Sequence, residues 1–207
     1  MTYEKGQKLR KVVRLTVIVL ISAVIGIILG HYVSNYEVRF MLDRKYCGTY
    51  RGIDVYKVGT VNADNFKEHA YMLSQAPDEL VEACERMYFT GTDLDIPSND
   101  TGINAALGLT QDRTVYISTR TFGADVLYHE LFHAYDNYNG MLSQNSEEFI
   151  IAFNNERLNV STVVVDPSQE AAEFFAQAGA VYLLSPLQLE VLAPRTYSFF
   201  NELLRQY

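Results

Sequence analysis

His129-Glu130-Leu131-Phe132-His133 is the stretch on which the reading of the fold turns, with Ala124-Asp125-Val126-Leu127-Tyr128 before it and Ala134-Tyr135-Asp136 after it. Helical geometry sets residues i and i+4 on one face, so the imidazoles of His129 and His133 can converge on a single divalent ion. Glu130, beside the first His, stands where a carboxylate can act on a water polarised by that ion. A pattern of this kind arises by chance in roughly one chain of this length in two hundred, so the flanking residues have to decide its meaning.

Those flanks read as a helix. Aliphatic and aromatic side chains occupy nearly every face, which predicts a helix buried in a core rather than one lying on a surface. Asp125 suits the first turn, where the helix dipole favours an anion, and Asn139-Gly140 is the expected stop. Two His on such a helix are costly unless their ring nitrogens are satisfied by a metal or by carboxylates. The plain alternative is a pair of satisfied core histidines with no metal.

The 207 residues leave room for one medium domain and an appendage. Residues 1–14 carry Lys5, Lys8, Arg10, Lys11 and Arg14, and residues 15–34 are uncharged and strongly apolar. A run of that length matches a membrane-spanning helix, and the basic flank predicts a cytoplasmic tail over 1–14 and a signal anchor over 15–34. The expected placement is the cell membrane, single-pass, with the remaining domain extracytoplasmic. A cleaved signal peptide with secretion is the competing reading, and a buried core helix a third. Gly30-His31-Tyr32-Val33-Ser34 offers no small-residue cleavage pattern, which favours the anchor.

Of the 17 basic and 25 acidic residues, 12 and 24 lie beyond residue 14. So acidic a remainder argues against a nucleic-acid partner, because phosphate contacts need clustered Lys and Arg. Cys47 and Cys84 are the two cysteines. An exported domain permits a disulfide between them, and a buried free thiol at Cys84 fits as well.

No repeat or low-complexity linker divides residues 40–207, which read as one α+β domain with a small mixed sheet. Arg51 to Val61 predicts a strand, Ala63 to Ser74 and Pro77 to Tyr88 two helices, and Asp93 to Pro97 a short strand. Ala106 to Leu109 and Thr114 to Ser118 predict a hairpin ahead of the His129 helix. Its second strand is expected at a sheet edge, where an extended peptide adds as a further strand. Helices follow over Ser143 to Leu158, Pro167 to Leu184 and Ser198 to Arg205.

Two His leave a catalytic zinc one protein ligand short. A metzincin arrangement would need Gly and His where this chain has Asp136 and Asn139. A carboxylate from a later helix is the other solution, and Glu170 and Glu173 both offer one. Burial beside Phe174, Phe175 and Ala176 favours Glu173, since an unpaired carboxylate there is costly, whereas Glu170 suits an exposed first turn.

Three blocks, His129 to Asp136, Glu170 to Ala176 and Ala193-Pro194-Arg195-Thr196-Tyr197-Ser198-Phe199-Phe200-Asn201, resemble in order the family of the anthrax lethal factor catalytic domain. They are similar also to the clostridial Pro-Pro endopeptidases. The resemblance spans roughly residues 114–207 and implies a zincin-like, gluzincin-type metallopeptidase domain acting on peptide or protein substrates. It implies one Zn2+ held by His129, His133 and Glu173, with Glu130 as general base. The family's Tyr, seven residues before the Glu ligand and assigned to the oxyanion, is here Asp166, and its Glu four residues after the ligand is Gln177. Tyr182 or Tyr197 is then the candidate for the missing donor, and Asp136 for orienting a ligand ring from behind. The two functional expectations are a membrane-anchored zinc endopeptidase and a zinc-binding module that no longer cuts.

Overall fold

Alternation in its second strand and turn chemistry account for the first hairpin of the sheet. In this computed structural model, which describes residues 43–92, 94–97, 103–160 and 171–204, the chain falls into two units, Met1–Arg44 and Lys45–Tyr207. β1 (Arg44–Tyr50) and β2 (Ile53–Val58) are joined by Arg51 and Gly52 at φ 49° and 89°. Two successive positive φ values are what a tight two-residue hairpin requires. β3 (Arg86–Thr90) pairs in parallel with β2 and with β7 (Thr114–Ser118), while β6 (Gly108–Gln111) pairs antiparallel with β7. The order is β1-β2-β3-β7-β6, and β4 (Leu94–Pro97) with β5 (Ile103–Ala106) makes a separate antiparallel ribbon.

Two expectations change here. The helix expected from Pro77 to Tyr88 ends early, and its last residues begin strand β3. Arg86-Met87-Tyr88-Phe89-Thr90 is flanked by parallel neighbours and buried from Met87 onward. A parallel strand covered on both faces shows no apolar–polar alternation, so its sequence reads like a helix segment. Thr114 to Ser118 is not an edge either: it lies between β3 and β6, fully buried, and β6 is the edge.

The helices in chain order are α1 (Ala63–Gln75), α2 (Asp78–Ala83), α3 (Ala124–Tyr138), α4 (Leu142–Asn145), α5 (Glu147–Glu156), α6 (Ala171–Leu184), α7 (Pro186–Leu192) and α8 (Pro194–Leu203). The helix expected from Ser143 to Leu158 is two helices, because Ser146 leaves the helical conformation and caps α5, its Oγ accepting from Phe149 N at 3.2 Å. The last helix starts at Pro194 rather than Ser198, consistent with the missing N–H of proline at a first helical position. Ile53, Val55, Met87, Phe89, Val115 and Ile117 line one face of the sheet and join Leu127, Leu131 and Phe132 of α3 in a common core. Behind α3, Phe132, Phe149, Phe174, Phe175, Phe199 and Phe200 form a buried aromatic cluster with several edge-on contacts. Cys47 is exposed and Cys84 buried, and both thiols are free.

The tail over 1–14 and the anchor helix over 15–34 lie outside the described residues. Among the described residues no helix is long and apolar enough to cross a membrane. The fold class is therefore corrected to an α+β domain with no membrane-crossing helix among the described residues, and the single-pass, extracytoplasmic placement finds no support in them.

Candidate metal centre

α3 places His129 and His133 one turn apart, their ring centroids 4.7 Å apart and nearly perpendicular. Their Nε2 atoms approach to 3.1 Å. α6 runs against α3 and brings in Glu173, with Oε2 3.2 Å from His129 Nε2 and Oε1 3.5 Å from His133 Nε2. One donor atom from each of the three residues lies within 4.8 Å of the others. A tetrahedral site with bonds of about 2.0–2.1 Å has donors about 3.3 Å apart. The observed separations match that edge length, so the donor set fits a zinc ion in both chemistry and spacing. The His side chains are 17% exposed and that of Glu173 30%, which leaves one side of the cluster open.

Electrostatics tie the three together. Burial works against a charged His133, but its hydrogen bond to Glu173 and the nearby carboxylates of Glu130, Glu173 and Asp136 raise its pKa above the usual value. Hydrogen bonds from His129 and His133 hold the Glu173 carboxyl well below the usual carboxylate range, against the effect of burial. A cation taking the place of those protons meets two imidazoles and a carboxylate already ionised.

Glu130 lies on the same helix with its carboxylate turned to the sheet edge and only 6% of the residue exposed. Thr110 of β6 donates there: its Oγ1 is 2.7 Å from Glu130 Oε2 and 2.9 Å from the Glu130 carbonyl oxygen. Gly108 passes so close that a β-carbon on it would stand 2.4 Å from Glu130 Oε1. Neither residue stood out among the site candidates in the sequence. The one available signal was a glycine within a strand pattern, which marks a close approach to the backbone.

The remaining sequence candidates fall elsewhere. Asp136 is buried, and its carboxylate accepts from Ser143 N at 2.8 Å and Ser143 Oγ at 2.5 Å. It thus ties α3 to the following turn, and its influence on His133 is through charge. Gln177 is half-buried, one helical turn beyond Glu173 on the same face. Tyr182 is nine residues past Glu173, about 13 Å along the axis and half a turn around at about 1.5 Å and 100° per residue. Its hydroxyl donates to Asn201 Oδ1 at 3.4 Å and its ring lies 5.6 Å from that of Tyr197, so the two tyrosines pack together between α6 and α8. Glu170 and Asp166 lie outside the described residues.

No family model and no curated protein matches this sequence. Among solved structures, the chain is similar to the Pro-Pro endopeptidase PPEP-2 from Paenibacillus alvei, with 22% sequence identity and a TM-score of 0.59. The match covers 72% of this chain and 96% of that one. A likeness at that level of identity shows the fold: this chain has a mixed α+β fold of the Pro-Pro endopeptidase kind. The narrower kinship with lethal factor is not shown by it.

Proposed function

We propose that the chain is a zinc metalloendopeptidase. The convergence of His129 Nε2, His133 Nε2 and the Glu173 carboxylate beside a buried, hydrogen-bonded Glu130 carries this reading. The fold shared with a Pro-Pro endopeptidase supports a peptide or protein as substrate. Zinc held by these three residues would supply Lewis acidity, lowering the pKa of a water towards 7 and polarising the scissile carbonyl. Glu130 accepts the proton of the attacking water and passes it to the departing amine. β6 is the sheet edge nearest Glu130, so an extended peptide pairing with it as an added strand would run past that carboxylate. Residues 40–207 form the peptidase domain.

A second reading, a zinc-binding module without catalysis, is supported by Asp166 in the place of the oxyanion Tyr and by the engagement of Tyr182 with Asn201. Loss of one oxyanion donor costs about 10²–10³ in rate. The zinc-loaded full chain incubated with a broad peptide library separates the two. We expect cleavage that disappears in Glu130→Gln while zinc stays bound. Stoichiometric zinc with no cleavage of any peptide overturns the enzyme and leaves the module.

A further inference from the structure

We propose that Thr110 is the positioning residue for Glu130, fixing the base to the same strand that receives the peptide; this deepens the peptidase reading and rests on it. The hydroxyl of Thr110 has one proton and two acceptors within reach, the Glu130 carboxylate at 2.7 Å and the Glu130 carbonyl at 2.9 Å. Both belong to the same residue, so one side chain spans the base from its backbone to its carboxylate tip. A glutamate on a helix otherwise has three free torsions and loses entropy when held; here a rigid β-branched neighbour on a strand holds it.

Gly108 completes the arrangement. Residues two apart on a strand point to the same face, so positions 108 and 110 both address α3. Absence of a side chain at 108 lets the Glu130 carboxylate lie against the strand, for a β-carbon there would also meet Glu130 Cγ at 2.6 Å and Cδ at 2.8 Å. Glycine opens the space and threonine grips the occupant. The strand is held in turn by β7 through the pairs Gly108↔Ile117 and Thr110↔Val115, with Val115 and Ile117 fully buried. The base is therefore indexed to the rigid sheet rather than to α3 alone. A peptide adding to β6 has its scissile bond measured from the same strand.

The test compares Thr110→Val, which keeps the shape and removes the hydroxyl, with Thr110→Ser, which keeps the hydroxyl. In the full zinc-loaded chain we expect Thr110→Val to lower kcat about 10–100-fold with KM and zinc content unchanged, as for a misplaced catalytic group. Thr110→Ser should stay within about threefold of the parent, because its hydroxyl reaches the same acceptors. Crystal structures of both variants supply a readout independent of turnover: Glu130 keeps its parental rotamer in Thr110→Ser and leaves it in Thr110→Val. The inference is overturned if Glu130 keeps that rotamer in Thr110→Val, or if Thr110→Ser is impaired as deeply. A parent that cuts no peptide, with Glu130 still released in Thr110→Val, would end the peptidase reading and leave Thr110 as the holder of Glu130.

Discussion

Gly179 of α6 lies against the ring of Phe132 on α3, so close that a β-carbon at position 179 would meet three ring carbons at 2.6 Å. α3 carries both histidines and α6 carries Glu173, so this one contact sets how nearly the two halves of the donor set approach. Phe132 is itself held by Phe175, one turn before Gly179 on α6, and by Phe200 of α8, at ring-centroid distances of 6.0 and 5.3 Å. It cannot retreat without disturbing the aromatic cluster. Gly179→Ala is expected to cost about 1–3 kcal/mol by overpacking. It should also lower zinc affinity about tenfold or more by moving Glu173 off the two rings. Denaturant titration and competitive zinc binding measure the two effects; a variant with parental zinc affinity would show that the helix spacing does not set the site.

Metal removal gives a second prediction. Zinc held by the folded site, with no preformed site in the unfolded chain, would add about 2.7 kcal/mol of stability at about 100 times Kd. A strong chelator should lower the thermal midpoint of the parent, and excess zinc should restore it. Glu173→Gln keeps the size of the side chain but loses its charge, and should weaken zinc by more than the roughly 10–100-fold typical of an outer-shell partner. Its midpoint should then respond little to either chelator or zinc at concentrations that saturate the parent.

The placement of Glu173 beside the two rings was legible because a carboxylate among Phe174, Phe175 and Ala176 has few ways of avoiding an unpaired buried charge. Helix α3 was legible from its apolar faces and its Asn139-Gly140 stop, since those signals are local. β3 was not. Its neighbours β2 and β7 are distant in sequence, and a strand covered on both faces leaves no period of two to find. The grip of Thr110 on Glu130 spans 20 residues and depends on where β6 meets α3, which no periodicity encodes. Local chemistry thus disclosed which residues can meet a cation, and long-range packing decided which group holds Glu130.

Glu156 illustrates the same limit and gives a third prediction. Buried at the end of α5, it accepts from Arg195 N at 3.0 Å, Thr196 N at 2.9 Å and Thr196 Oγ1 at 2.8 Å, capping the N-terminus of α8 from another helix. An anion there meets both the unsatisfied N–H groups and the positive end of the dipole. Glu156→Ala leaves the two Thr196 donors buried without a partner and should cost about 3 kcal/mol, measured by chemical denaturation. Glu156→Gln should cost less, since one amide oxygen still accepts. Equal losses in the two variants would mean that the side chain acts by filling space rather than by capping.

His69 sets the last prediction, on pH. It is 1% exposed on α1, its ring 5.1 Å from that of Phe122 and 6.0 Å from that of Phe89, and neither ring nitrogen makes a hydrogen bond among the described residues. Burial without a partner disfavours the imidazolium and pushes the pKa down to about 4. The unfolded chain protonates this His near pH 6.5, whereas the folded chain resists until about pH 4. Between those values the unfolded state binds more protons, so stability is full above pH 6.5 and falls as the pH drops through the window. At pH 5 the loss relative to pH 8 should be about 2 kcal/mol from this residue alone. Carboxylates titrate over the lower part of the same range, so the measurement is the difference between the parent and His69→Leu in urea midpoint at pH 8 and pH 5. His69→Leu should lose less stability on acidification by about that amount; a parallel decline in the two proteins would mean that His69 takes up its proton in the folded state as readily as in the unfolded one.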